Sequence, residues 1–201
     1  MNEVEKAGRE TKSLDWQRIA RRIRVPLGFV FAALYIWLAR PSAVSIAAGG
    51  AVVAVGVVIR ALASGHVRKN EALATSGPYA YCRNPLYLGS IVIGIGFAIA
   101  ARRWEIAAAM VLMFAVIYLP VIRGEEAWLS AHFPEYVAYA HSVPRLFPRL
   151  TPARLGDGDG GSFSRELYLK HREYNALIGS LAVVAVLIAK LMFYRLSQVG
   201  R

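Results

Sequence analysis

Cysteine occurs once in the 201 residues, at Cys82, and histidine four times, at His66, His132, His141 and His171. A single cysteine excludes an intramolecular disulfide and any Cys-x-x-Cys redox or metal motif. The histidines have no HxxH or HxxxH spacing, so the sequence supports no metal site. Gly94-Ile-Gly96 is not a dinucleotide fingerprint, because it lies inside an apolar run with no third glycine and no preceding strand. Residues 156 to 161, GDGDGG, offer Asp157 and Asp159 but a glycine where a third calcium ligand belongs, and read as a flexible linker. Acidic residues are few, 13 against 24 Lys and Arg. A cleavable leader is not expected, since residues 1 to 24 are polar and no small-residue cleavage site follows the first apolar run.

Apolar residues are abundant: 56% of the chain is hydrophobic and the mean hydropathy is +0.40, which points to lipid as the solvent. Five stretches approach the length needed to cross a bilayer, Val25 to Ala39, Ser42 to Ala63, Leu86 to Ala101, Trp104 to Ile122 and Asn175 to Tyr194. The first four read as two helical hairpins. The expected fold is therefore all-α, a polytopic membrane bundle of about five transmembrane helices. Gly94 with Ala98, Gly96 with Ala100 and Gly50 with Ala54 suggest close-packed faces.

The net charge of +11 does not imply nucleic acid, because the basic residues are distributed unequally about the spans. With the N-terminus cytoplasmic, seventeen fall on the inner side and five on the outer, which satisfies the positive-inside rule. No nucleic-acid partner is expected. Leu14, Trp16, Ile19 and Ile23 recur at near-helical spacing among arginines, as in an amphipathic helix lying on membrane lipids.

Two polar segments border the second hairpin. The first, GPYAYCRNPLYLG at residues 77 to 89, precedes the third span, and residues 123 to 148 follow the fourth. Two crossings return the chain to its starting side, so both segments face one compartment. On a continuing helix Leu129, Phe133, Tyr136 and Ala140 make one stripe, flanked by Glu125 and Glu126, with Pro134 ending one short helix and opening another. Paired carboxylates at a membrane exit, beside Arg123, need a cationic partner or a strongly raised pKa. An ion-pair network with Arg83 or Arg123 satisfies that need, and so does a ligand bearing an ammonium and hydroxyl groups. S-adenosylmethionine has both features, as do other cationic ligands. Pro85 favours a helix start whose open amides can receive an anionic group, with Arg83 beside it and Tyr79, Tyr81 and Tyr87 as candidate walls.

The run Gly77, Pro78, Tyr79, Arg83, Asn84, Pro85, Tyr87 and Gly89, followed by Glu125, Glu126, Leu129, Phe133, Tyr136, Tyr139, Val143, Pro144 and Arg145, resembles the isoprenylcysteine carboxyl methyltransferase and phospholipid methyltransferase superfamily. Two ordered motifs across a helical hairpin carry the resemblance, over about residues 73 to 150. Asn84 stands where the pattern usually has histidine, although the phospholipid-methylating branch also has Asn-Pro there. Phe133-Pro134-Glu135-Tyr136 is one residue shorter than the usual stretch and lacks its glycine. The resemblance implies an integral membrane enzyme that binds S-adenosylmethionine at the cytoplasmic face and methylates an amphiphilic acceptor, either an isoprenylcysteine-like carboxylate or a lipid amine. Cofactor contacts are then expected from Arg83, Asn84, Pro85, Tyr87, Glu126, Tyr139, Pro144 and Arg145, with Glu125 and Arg123 nearer the reacting groups. The runner-up readings are an NADPH-dependent membrane reductase of the sterol reductase type and a non-enzymatic membrane scaffold. The expected organisation is a basic amphipathic segment (1–24), a first hairpin and connector (25–72), a methyltransferase-like core (73–150), a Gly-rich linker and polar segment (151–174) and a terminal helix (175–201).

Overall fold

The computed structural model describes residues 26–68, 71–153 and 162–199. The amphipathic segment expected over residues 1–24 and the GDGDGG run lie outside them. Every regular element among the described residues is helical. They are α1 (Pro26–Leu38), α2 (Ala43–Ser64), a 3₁₀ turn (Gly77–Ala80), α3 (Pro85–Ala101), α4 (Trp104–Met113), a π turn (Phe114–Tyr118), α5 (Leu119–His132), α6 (Tyr136–Ser142), α7 (Arg165–Lys170) and α8 (Tyr174–Val199).

Local chemistry explains several boundaries. Ser42 and Ser45 form a reciprocal capping box that starts α2, satisfying backbone donors that would otherwise lack partners. Pro85 starts α3, where its missing N–H costs nothing. The sequence reading ended the fourth span at Ile122, but helix continues from Trp104 to His132. Pro120 does not break it because the π turn immediately before absorbs the misfit around its ring. After His132 the chain does stop, and Phe133 and Pro134 lead into α6, as the sequence suggested.

α2 and α3 pack along a seam of small residues. A side-chain carbon added at Gly56 would lie 2.7 Å from the Gly89 carbonyl, and one added at Gly96 would lie 2.6 Å from the Gly49 carbonyl. The backbones therefore meet almost directly, which rewards dispersion contacts in a lipid solvent that gives no hydrophobic drive between helices. The sequence pairing placed Gly50 on this seam. Its correct occupant is Gly49, since Gly50 faces open space.

The bundle has two distinct ends. At one, the α1–α2 and α3–α4 corners join through Arg40 N–H donating to Ala101 O at 2.9 Å and Ser45 Oγ donating to Ala100 O at 3.0 Å. Tyr35, Ala39, Ile46, Ile106 and Leu187 form the core there. Lys190 of α8 turns to the same end, donating to the Ile36 carbonyl and, at 2.9 Å, to Trp37 O. The opposite end carries both polar segments. α2, the rod Trp104–His132 and α8 are each long and apolar enough to cross a membrane, while α1 and α3 are shorter apolar helices. At 1.5 Å per residue α3 extends about 26 Å, close to the ~30 Å of a hydrocarbon core. The chain is an integral membrane helical bundle.

Candidate active site

The first polar segment opens at Gly77, whose backbone adopts φ +56 and whose missing Cβ leaves room for the His66 ring. The chain then runs alongside the segment after α6. Arg83 N–H donates to Pro144 O at 2.9 Å, Arg149 N–H to Tyr81 O at 3.0 Å and Ala153 N–H to Ala80 O at 2.9 Å. Tyr139 donates its hydroxyl to Tyr79 O at 2.9 Å. The Cys82 thiol is buried against the Leu146 carbonyl at 3.3 Å. Tyr136, Tyr139 and Val143 make a small core beneath this seam, joined by Leu129 and Phe133 of the expected stripe.

This pairing brings four polar side chains to one point. Glu126 is buried at 7% exposure. Its Oε1 accepts from Asn84 Nδ2 at 3.0 Å and lies 3.7 Å from Arg83 Nε; its Oε2 accepts from Arg145 Nε at 2.8 Å and pairs with a terminal Arg145 nitrogen at 2.7 Å. The two Arg145 nitrogens converge on that single oxygen in a charge-assisted contact, which raises the Arg145 pKa. The adjacent Glu125 points outward, where its Oε1 accepts from the Tyr87 hydroxyl at 3.0 Å. Tyr87 is held edge-on against Tyr118, with ring centroids 6.0 Å apart.

Two polar atoms in this cluster, Arg83 Nε and the Tyr136 hydroxyl, are buried without a hydrogen-bond partner among the described residues. Burial pushes the Tyr136 phenol above its ordinary value, and the Glu126 carboxylate adds to that. Tyr79 is pushed up for the same reason, with the carboxylates of Glu125 and Glu173 contributing.

The expected site residues therefore occupy different positions. Arg83, Asn84, Glu126 and Arg145 touch one another, and Pro144 contributes its carbonyl to Arg83. Pro85 is buried at the start of α3. Tyr87 and Glu125 form an outer pair. Tyr139 is buried, and its hydroxyl holds the Tyr79 carbonyl instead of facing an approachable surface. Arg123 is exposed and, among the described residues, no hydrogen bond or ion pair links it to the cluster. The three tyrosines do not form a common wall: Tyr79 is buried, Tyr81 exposed and Tyr87 turned to Glu125. No group of three metal-ligating side chains occurs among the described residues.

Sequence reasoning missed a second polar contact near this end. Arg60 makes a double contact with Glu173, at 2.7 Å and 3.0 Å, and donates to Leu86 O at 3.2 Å. An arginine inside an apolar helix was the available signal, because such a charge requires a partner.

Comparison with known proteins connects this arrangement to a family. The phospholipid methyltransferase family pattern matches residues 24–136, more than half of the chain. The cobalt-zinc-cadmium resistance protein CzcN of Cupriavidus metallidurans is 42% identical over 84 residues, covering 42% of this chain and 39% of its own. The nickel-cobalt-cadmium resistance protein NccN of Alcaligenes xylosoxydans xylosoxydans is 41% identical over 103 residues, covering 50% of this chain and 48% of its own. The chain thus spans less than half the length of these curated relatives. No solved structure matches. By the extent of that match, the chain belongs to the phospholipid methyltransferase family, within the isoprenylcysteine carboxyl methyltransferase-like superfamily.

Proposed function

We propose that this chain is an S-adenosylmethionine-dependent membrane methyltransferase that acts on an amphiphilic acceptor, an isoprenylcysteine-type carboxylate or a lipid amine, at the cytoplasmic face. Family membership supports methyl transfer in a membrane. The observation that carries the reading is the meeting of Arg83, Asn84 and Arg145 on buried Glu126, with Glu125 and Tyr87 presented outward beside them. The excess of basic residues on this side supports the cytoplasmic assignment.

The donor set suits the cofactor in kind. Arg83 Nε is a buried donor with no hydrogen bond to the described residues, suited to a carboxylate. Glu126 has committed both oxygens to protein donors, so its role is to orient Arg145 and Asn84. Glu125 is exposed and keeps one oxygen beyond the Tyr87 bond, which suits it to ligand hydroxyls. When bound, the cofactor supplies a methyl group already activated on a sulfonium.

The protein's work is then alignment and exclusion of water more than covalent chemistry. A carboxylate acceptor arrives ionised and needs no base; exposed Arg123 and Arg145 are available to hold it. An amine acceptor must give up a proton, and Glu125 is the carboxylate placed to take it. The metal-resistance names of CzcN and NccN belong to those proteins and designate no acceptor.

The test incubates the purified chain in lipid nanodiscs with methyl-labelled S-adenosylmethionine and either extracted membrane lipids or prenylcysteine analogues. Transfer of label to one class, abolished in Glu125→Gln, supports the proposal. Absence of transfer together with selective NADPH binding overturns it in favour of a reductase, and binding of neither cofactor favours a scaffold.

A further inference from the structure

The end of the bundle opposite the candidate active site gathers positive charge. On the cytoplasmic assignment proposed above this is the outer side, which the positive-inside bias leaves poor in Lys and Arg. Four of them nevertheless meet at one corner: Arg40 between α1 and α2, Arg102 and Arg103 between α3 and α4, and Lys190 of α8. Arg40 N–H donates to Ala101 O at 2.9 Å, which sets Arg40 beside Arg102. Lys190 donates to the Ile36 carbonyl and, at 2.9 Å, to Trp37 O, and the Arg40 charge is near enough to repel it.

The protein does not balance these charges. Glu105 is the one acid at this end among the described residues, and it is already paired with Arg103 at 2.9 Å. The exposed side chains of Arg40 and Arg102 make no hydrogen bond or ion pair to the described residues, and Lys190 has committed two of its three donors. Like charges held together repel unless an anion lies between them. Arg102 supplies a separate sign, because its backbone is left-handed, at φ 54 and ψ 38. Glycine closes a helix in that conformation without strain, so an arginine held there is explained by its side chain and not by the turn. Trp37, one turn before Arg40, and Trp104, two residues after Arg102, are both exposed. Tryptophan favours the headgroup depth of a bilayer, which puts the cations level with lipid phosphates.

We propose that this corner binds the headgroup of an anionic phospholipid in the adjoining leaflet, with Arg40 and Arg102 donating to its phosphate and Lys190 adding its remaining donor. The guanidinium fork matches phosphate oxygens. A zwitterionic head would bring its own ammonium against cations that no acid offsets, so the lipid is one whose head carries no amine, as in phosphatidylglycerol. The site takes no part in methyl transfer.

The experiment titrates the full chain in detergent, with no methyl donor present, with phosphatidylglycerol or with phosphatidylethanolamine of the same acyl chains, and counts retained lipid by native mass spectrometry. Phosphatidylglycerol should be held about tenfold more tightly. Arginines at the other end attract it as well, so the deciding readout is the affinity lost on substitution. Arg40→Gln and Arg102→Gly should each weaken binding about fivefold and together roughly twentyfold, whereas Arg195→Gln, on the same end of α8, should leave it unchanged. Arg102→Gly also relieves the left-handed turn, so its unfolding midpoint should stay level or rise, which separates lost binding from lost folding. Equal affinity for the two lipids, no loss in the double variant, or an equal loss in Arg195→Gln overturns the proposal. Competition by inorganic phosphate at the lipid's own concentration also overturns it, in favour of a site for the free ion. The assay reads neither methyl transfer nor sidedness, so either result leaves those readings to their own tests.

Discussion

Glu125 and Glu126 are neighbours with opposite surroundings, and their substitutions should separate accordingly. Glu126→Gln removes the charge that compensates Arg145 and Arg83 in a buried cluster. Because the Arg145 side chain is 42% exposed, the loss should be discounted from the full cost of breaking a buried pair to about 2 kcal/mol. Thermal unfolding in detergent measures it. Glu125→Gln should change stability by no more than about 0.5 kcal/mol yet suppress methyl transfer. If the two variants unfold alike, the assigned division of roles is wrong. The sequence disclosed both carboxylates but not this division: successive helical residues diverge by about 100°, and which one turns inward depends on the pairing of residues 80–84 with 143–153. Cys82 gives a second residue-scale prediction. Burial raises its pKa, so the thiol stays protonated at neutral pH, and it is the thiolate that reacts. A maleimide at pH 7 should leave Cys82 unmodified in the folded chain and label it once detergent and heat unfold the bundle.

Among the elements, the α2–α3 seam and the α8 ties make distinct predictions. Gly56→Val must push against the Gly89 carbonyl and Ile93, and is expected to cost about 1–3 kcal/mol, read from the unfolding midpoint. Gly50→Ala meets no neighbour and should be neutral or stabilising by up to about 1 kcal/mol through helix propensity. Equal losses at both positions would contradict the seam. The sequence showed that small residues line these helices but misassigned one of them, because Gly49 and Gly50 differ only by a rotation that tertiary contact decides. The π turn was equally hidden, since Pro120 alone signals a break. α7 was read as part of a linker, yet it docks on the end of α2, where Phe163 lies over Gly65 and Ser164 N–H donates to Gly65 O at 2.9 Å. Six residues are too few to show helical periodicity, and the contact is long in sequence.

For the whole molecule, apolar runs and the order of two polar motifs were enough to read an all-helical membrane protein with both motifs at one end. The two-hairpin path leaves no other arrangement for segments separated by two crossings. The tie between Arg60 and Glu173 could not be read, because 112 intervening residues contain several acids and no local pattern selects one. Topology is testable in a Cys82→Ser background. A membrane-impermeant maleimide applied to intact cells should label Arg102→Cys, at the corner end, and should label Leu150→Cys, at the site end, only after the membrane is opened. The reverse pattern would place the site outside the cytoplasm.

The central claim is that the Arg83–Asn84–Pro85 corner and the Glu125–Glu126 pair form one cofactor site. Equilibrium binding of labelled S-adenosylmethionine to the full chain in nanodiscs tests it most directly. Saturable binding is predicted, weakened about tenfold or more both by Arg83→Gln in the first motif and by Glu125→Gln in the second. Binding that is absent, or that ignores either substitution while both variants remain folded, would contradict it.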